Sequence, residues 1–149
     1  MDFPVVLNDE SPQVYAYSLC STIAEKFEAI VSLAYDNSRF KDYYDIYVLS
    51  TTQNFDGKEL MEAVKETFEN RHTSIAEIVA FEEGFADDPL RQTRWNAFVK
   101  KKKAMLHVSL EETINAIRQF MQPVADAITH NKKFDSKWSH DIQEWIYSS

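Results

Sequence analysis

Glycine is nearly absent, with two residues in a chain of 149. A Rossmann fingerprint or a P-loop needs several glycines, so both are excluded. Hairpin-rich all-β folds place glycine in their turns and are disfavoured for the same reason. Cysteine is a single residue, Cys20, which excludes an internal disulfide and a cysteine-rich zinc site. No apolar run approaches the roughly 18–20 residues of a membrane span. The opening stretch, Met1 to Pro12, has neither a basic leader nor a long apolar run, so it is not a secretory signal. The expectation is a soluble, cytoplasmic protein in a reducing compartment. Positive charge is the minority sign, 16 Lys+Arg against 24 Asp+Glu, for a net −8. That balance argues against the whole domain being a general nucleic-acid binder.

What is present is enough for a core. Hydrophobic residues make up 44% and charged residues 27%, ordinary globular values that disfavour disorder. The length suits one domain, which at this size buries about 68–70% of its unfolded surface. The expected organisation is a single domain over 1–149, with an extended segment at 1–18 and a helical part at 19–149.

Pro4-Val5-Val6-Leu7 and Val14-Tyr15-Ala16-Tyr17 read as short strands around the turn Asn8 to Pro12. A chain that opens this way reads as the continuation of something larger. From Ser18 the period changes to that of a helix, with Leu19, Ile23, Phe27, Ile30, Val31 and Ala34 on one face. Asp36-Asn37-Ser38 breaks it and offers caps for a helix over about 39–50. That second helix is apolar nearly all round, which predicts burial on most sides.

Asp56-Gly57-Lys58-Glu59 has capping-box spacing and starts a third helix, with Leu60, Val64, Thr67 and Phe68 inward. Residues 71–86 are ambiguous, and Ile75 to Phe81 fit either a short helix or a strand. Asp87-Asp88-Pro89 starts a fourth helix, which carries Trp95, Phe98 and Val99 inward and ends in Lys100 to Lys103. Ser109 to Glu112 is a second capping box, opening a fifth helix through Leu110, Ile114, Ile117, Met121, Val124 and Ile128. Pro123 within it predicts a kink. Trp138, Ile142, Trp145 and Ile146 read as a last short helix. The expected fold is mainly α, a bundle of about five to six helices with a short extended or β segment at the N-terminus.

Two places break the binary pattern. Lys26 falls inside the apolar arc of its helix, between Leu19, Ile30 and Leu33, while Glu25 and Glu28 read as its polar side. A lysine there either reaches solvent from the stripe edge, pairs with a core carboxylate, or holds an anion. The second break is Arg39, Lys41, Asp42 and Asp45. Asp42 and Asp45 are i, i+3 and share a side with Ile46 and Leu49. Two carboxylates on a rigid helix suit Mg²⁺ or general-base work. The plainer account is a Lys41–Asp45 surface pair, with Asp42 complementing the helix dipole.

Other features are weaker. Arg91, Arg94, Lys100, Lys101, Lys102 and Lys103 form a strip without acids, which suits either an RNA-facing surface or a solvated helix C-terminus. His140 and Glu144 are i, i+4, which is too little for a metal site, and no metal ligands are assigned. Ser21 and Ser109 have no nearby base. Tyr43, Tyr44 and Tyr47 read as core rather than as a base-stacking platform.

Ala24-Glu25-Lys26, followed by Asn37-Ser38-Arg39-Phe40-Lys41-Asp42-Tyr43-Tyr44-Asp45, resembles the third and fourth motifs of a known family. This is the AbiEii/AbiGii nucleotidyltransferase-like toxins of bacterial abortive-infection and type IV toxin–antitoxin systems. Phe27 to Val31 and Phe85 to Phe98 are similar to one subgroup. The resemblance covers nearly the whole chain.

It implies nucleotide transfer from an NTP with Mg²⁺, with tRNA as acceptor in some members. It implies Lys26, Arg39 and Lys41 as nucleotide-binding residues, and Asp42 and Asp45 as catalytic carboxylates. Members also carry an N-terminal nucleotidyltransferase domain with a Gly-rich motif and a D-x-D pair, and neither motif occurs in these 149 residues. The expectation is therefore the C-terminal helical half of such a toxin, truncated and inactive alone. Its expected partners are an antitoxin or the N-terminal catalytic half, with RNA contact confined to the basic strip and no membrane contact. The alternative is a non-enzymatic module that binds a partner protein.

Overall fold

The computed structural model describes residues 12–36, 40–102 and 108–147. The fold is mainly α, as the periodicity predicts. Among the described residues five helices run α1 Pro12–Leu33, α2 Phe40–Thr52, α3 Gly57–Asn70, α4 Pro89–Lys101 and α5 Leu110–Thr129. Three strands complete it: β1 Phe55–Asp56, β2 Ser136–Ser139 and β3 Glu144–Tyr147. α1 packs chiefly on α3 and also on α2, while α5 packs on α2 and α3. The core these helices enclose includes Ile23, Phe27, Ile46, Leu60, Ile117 and Met121.

The cap residues set the helix starts. Asp56 accepts the Glu59 N–H at 3.0 Å, Asp88 the Arg91 N–H at 2.9 Å and Ser109 the Glu112 N–H at 3.0 Å. Each satisfies one donor that the first helical turn leaves open. Pro89 occupies the first turn of α4, where a missing N–H costs nothing. At the far end of α5, Asn131 adopts φ 52 and the Lys132 N–H returns to the Ala127 carbonyl at 2.8 Å. Asn tolerates this left-handed position, and the reversal ends the helix.

Two expectations are corrected. Val14 to Tyr17 is the first part of α1, not a strand, and the extended segment expected at 1–18 gives way to helix from Pro12. Pro4 to Leu7 lie outside the described residues. The β-branched and aromatic side chains of Val14, Tyr15 and Tyr17 bias weakly toward strand. A long helix extends cheaply through them once its later turns are packed.

The tail is the second correction. Residues 136–147 form an antiparallel hairpin, not a helix. The sheet order is β1-β2-β3, with Phe55 opposite Trp138 and Trp138 opposite Trp145. Trp138 and Trp145 are buried and Ile146 is exposed, the period-2 pattern of a half-buried sheet. The signal was present in Phe134, Ser136 and Trp138, which alternate with Asp135 and Lys137. In residues 71–86, neither a regular helix nor a strand forms; a 3₁₀ turn at Val79–Phe81 buries Ala80.

The hairpin and the helices lock together through α5. Pro123 has no N–H for the Gln119 carbonyl, yet α5 continues past it to Thr129. One residue beyond that carbonyl, Phe120 accepts the Trp145 indole N–H at 2.8 Å. Phe120 and Trp145 also stack, with ring centroids 5.7 Å apart and an interplanar angle of 8°. Gly57 lets β2 approach: a Cβ there would stand 2.7 Å from the Ser136 carbonyl oxygen.

Candidate functional site

The two pattern breaks meet. Lys26, from the middle of α1, is buried, and so are Asp42 and Asp45 on α2. The Lys26 ammonium lies 2.8 Å from an Asp45 oxygen and 3.8 Å from an Asp42 oxygen. The i, i+3 spacing turns both carboxylates to one side of α2, and that side faces α1. Asp45 therefore turns inward to Lys26 rather than along its own helix to Lys41. Of the three accounts open for Lys26, the geometry is that of pairing with core carboxylates. Lys41 is half-buried on α2, and Arg39 lies outside the described residues.

Burial strengthens this arrangement electrostatically and makes it costly to break. The charges attract through a medium of lower dielectric than water, and removing one partner withdraws that compensation from the others. Chemically, the ammonium stands where a cation between the two carboxylates would stand. Mg²⁺ is usually held by one or two carboxylates, with water and phosphate oxygens completing its shell, so Asp42 and Asp45 could serve it only with the ammonium displaced. With Lys26 between the carboxylates, the pair as arranged does not fit the metal implied for the family.

One buried charge was not foreseen. Glu28, read as polar-side, is buried; its carboxylate accepts the Thr73 hydroxyl at 2.6 Å and pairs with Arg71 at 3.4 Å. The helical wheel does place it between Ala24 (i−4) and Val31 (i+3), both buried. Glu28 thereby pins the turn after α3 onto α1. Leu33, assigned to the apolar arc, is exposed.

The remaining candidates take structural positions. The Cys20 thiol is buried among α1 neighbours. Desolvation, with Glu59 and Asp56 nearby, pushes its pKa up to about 12, so it is neither nucleophile nor metal ligand at neutral pH. Tyr43 and Tyr44 are core, as read, and pack on Phe85 and Phe98 respectively. Ser109 caps α5. The His140 ring meets Asn54 at 2.7 Å and Asp141 at 3.1 Å. In the basic strip, Arg91 donates to the Phe85 carbonyl at 2.9 Å and lies over the Phe85 ring. Lys102 lies over the Tyr44 and Phe98 rings. Arg94, Lys100 and Lys101 are exposed, and Lys103 is outside the described residues.

A helical bundle with a buried Lys–Asp–Asp set joining two helices is the frame on which the comparison falls. A family model described as nucleotidyl transferase AbiEii toxin, type IV TA system, matches residues 1–134, and the chain belongs to that family. No curated protein and no solved structure matches it. Among the described residues no helix is long and apolar enough to cross a membrane.

Proposed function

We propose that this chain is the helical portion of a nucleotide-transferring toxin of a type IV toxin–antitoxin system, and that it carries out no transfer by itself. The observation that carries the reading is the family match over residues 1–134, which spans both Lys26 and the Asp42/Asp45 pair. In this reading, Lys26, Asp42 and Asp45 are the portion of the site that the helical unit contributes, with Arg39 and Lys41 in the same sequence motif as the two aspartates. Nucleotidyl transfer needs positioned cations and carboxylate-held metal around the phosphates. Here the single ammonium is paired with the two carboxylates, and the 149 residues hold no Gly-rich run and no D-x-D pair. Much of the transition-state stabilisation is therefore missing.

The test is transfer of label from each α-³²P NTP to tRNA, with Mg²⁺, by this chain alone. No incorporation is expected, and incorporation above a Lys26→Ala control overturns the inactivity. Titrating GTP, CTP, ATP and UTP with Mg²⁺ by calorimetry tests retained nucleotide binding. Heat that disappears in Asp42→Asn supports a contributed half-site.

The closed Lys26 set favours a second reading, a non-enzymatic module that binds a partner protein such as an antitoxin. In that case no NTP gives heat, while the folded chain forms a stable complex or a dimer by light scattering.

A further inference from the structure

Lys26 is not an edge lysine. Its helical neighbours Ile23 (i−3) and Ile30 (i+4) are buried, and the residue itself is 8% exposed. Its four-carbon stem ends inside the protein instead of snorkelling to water. There the ammonium meets carboxylates of another helix, Asp45 at 2.8 Å and Asp42 at 3.8 Å. Both aspartates are buried as well. The position between them thus already holds a cation, and the chain itself supplies it. The pair at the sheet is different. Lys137 meets Asp56 at the surface, where its side chain is 72% exposed, and Asp56 is a single carboxylate that also caps α3. Water and salt compete there, whereas burial keeps them from Lys26.

We propose that Asp42 and Asp45 form a latent divalent-cation site that Lys26 holds shut. Carboxylate oxygens suit Mg²⁺ and Mn²⁺, and Mg²⁺ binds them at about 2.0–2.1 Å. An ion that close to the pair would crowd an ammonium 2.8 Å from one of its oxygens. The two cations would repel through a medium that screens poorly, so lysine and metal exclude one another. Removing the Lys26 side chain opens the position, and the volume of its stem admits the waters that complete an ion's shell. Among the described residues no third His, Cys, Asp or Glu joins the two aspartates, which sets the opened site at the weak end of affinity. The disagreement with the family's metal then has one cause: the carboxylates suit the ion and the lysine refuses it. The proposal stands apart from nucleotide transfer, because a chain that binds no NTP still gains the site once Lys26 is removed.

The experiment is calorimetric titration of the full chain with MnCl₂, paired with melting curves in chelator and in Mn²⁺. Wild type should show no saturable Mn²⁺ binding that depends on Asp42 or Asp45. Lys26→Ala should bind one Mn²⁺ more than wild type, with a Kd of about 10⁻⁴–10⁻³ M, as weak oxygen sites do. In about 10 mM Mn²⁺ its melting temperature should rise by roughly 3–10 °C relative to chelator, while that of wild type stays put. The added site should vanish in Lys26→Ala/Asp45→Asn. Lys137→Ala, which uncovers the lone Asp56 at the surface, should gain none. Should Lys26→Ala unfold in chelator, the readout becomes recovery of helical circular dichroism on adding Mn²⁺. Four results overturn the proposal: a wild-type Mn²⁺ site that Asp42→Asn or Asp45→Asn removes, neither a site nor recovery in Lys26→Ala, a Lys26→Ala site that survives Asp45→Asn, or an equal site in Lys137→Ala.

Discussion

Lys26 on α1 and Asp45 on α2 form a buried ion pair at 2.8 Å, with Asp42 completing the set at 3.8 Å. Lys26→Ala leaves two buried carboxylates without this cation. The expected loss is about 3–5 kcal/mol in urea unfolding at pH 7. The triple variant Lys26→Met/Asp42→Asn/Asp45→Leu should recover most of it. Recovery beyond wild type would show that the charges are retained at the expense of stability, as functional groups often are. A triple variant as unstable as Lys26→Ala would assign them to packing.

Gly57 and Gly84 should respond to alanine for opposite reasons. In Gly57→Ala the new Cβ meets the Ser136 carbonyl at 2.7 Å and the Phe134 ring at 2.8 Å. At this first helical position alanine's propensity gain stays below the roughly 1 kcal/mol of a helix interior, while backbone overpacking costs about 1–3 kcal/mol. A lower melting temperature is expected, with the hairpin loosened. Gly84 has open space but φ +91, so Gly84→Ala should cost about 1 kcal/mol through backbone strain alone.

The thiol of Cys20 should not react with iodoacetamide in the native protein at pH 8. Its ordinary pKa of 9.0 is raised to about 12 by burial first, then by Glu59 and Asp56. Between those values the native state holds a proton that the unfolded chain has released. Stability therefore falls as pH rises through that window. A Cys20→Ala variant should show less of this alkaline loss. Labelling at pH 8 as fast as in urea would contradict the burial.

Asp56 works at two joints, capping α3 and pairing with Lys137 on β2. Desolvation raises its pKa, but hydrogen bonds from Lys137 and from the Glu59 N–H outweigh that and hold it below the usual 3.8. Its contribution is therefore present above the unfolded carboxyl's range and is lost as pH falls through the folded value. Asp56→Asn should keep the cap and lose part of this acid dependence. Asp56→Ala should lose the cap as well, about 0.5–2 kcal/mol by thermal unfolding.

The parts of this fold that were legible in the sequence are those fixed locally. Asp56, Asp88 and Ser109 announce helix starts because a cap is a contact across three residues. Lys26 and the Asp42/Asp45 pair stood out because they break an apolar stripe. That they would meet was not legible, because no local pattern says which stripe faces which. The hairpin was missed for a related reason. Trp138 and Trp145 satisfy a loose helical spacing, and what makes them strands is the partner Phe55 and the face of Phe120, both distant in the chain. Glu28 carries a charge that suggests the polar side, yet its place on the wheel is between buried Ala24 and Val31.

The pairing of β1 with β2 sets an order of events during synthesis. Phe55 leaves the ribosome early, yet its strand partner Trp138 follows 83 residues later, after α3, α4 and α5 have been made. Closing so long a loop is slow and must wait for residues 136–147 to emerge. Until then, the Phe120 ring lacks the Trp138 and Trp145 rings that cover it. A nascent chain halted shortly after α5 would expose a sticky aromatic surface, the kind that chaperones bind and that aggregation starts from.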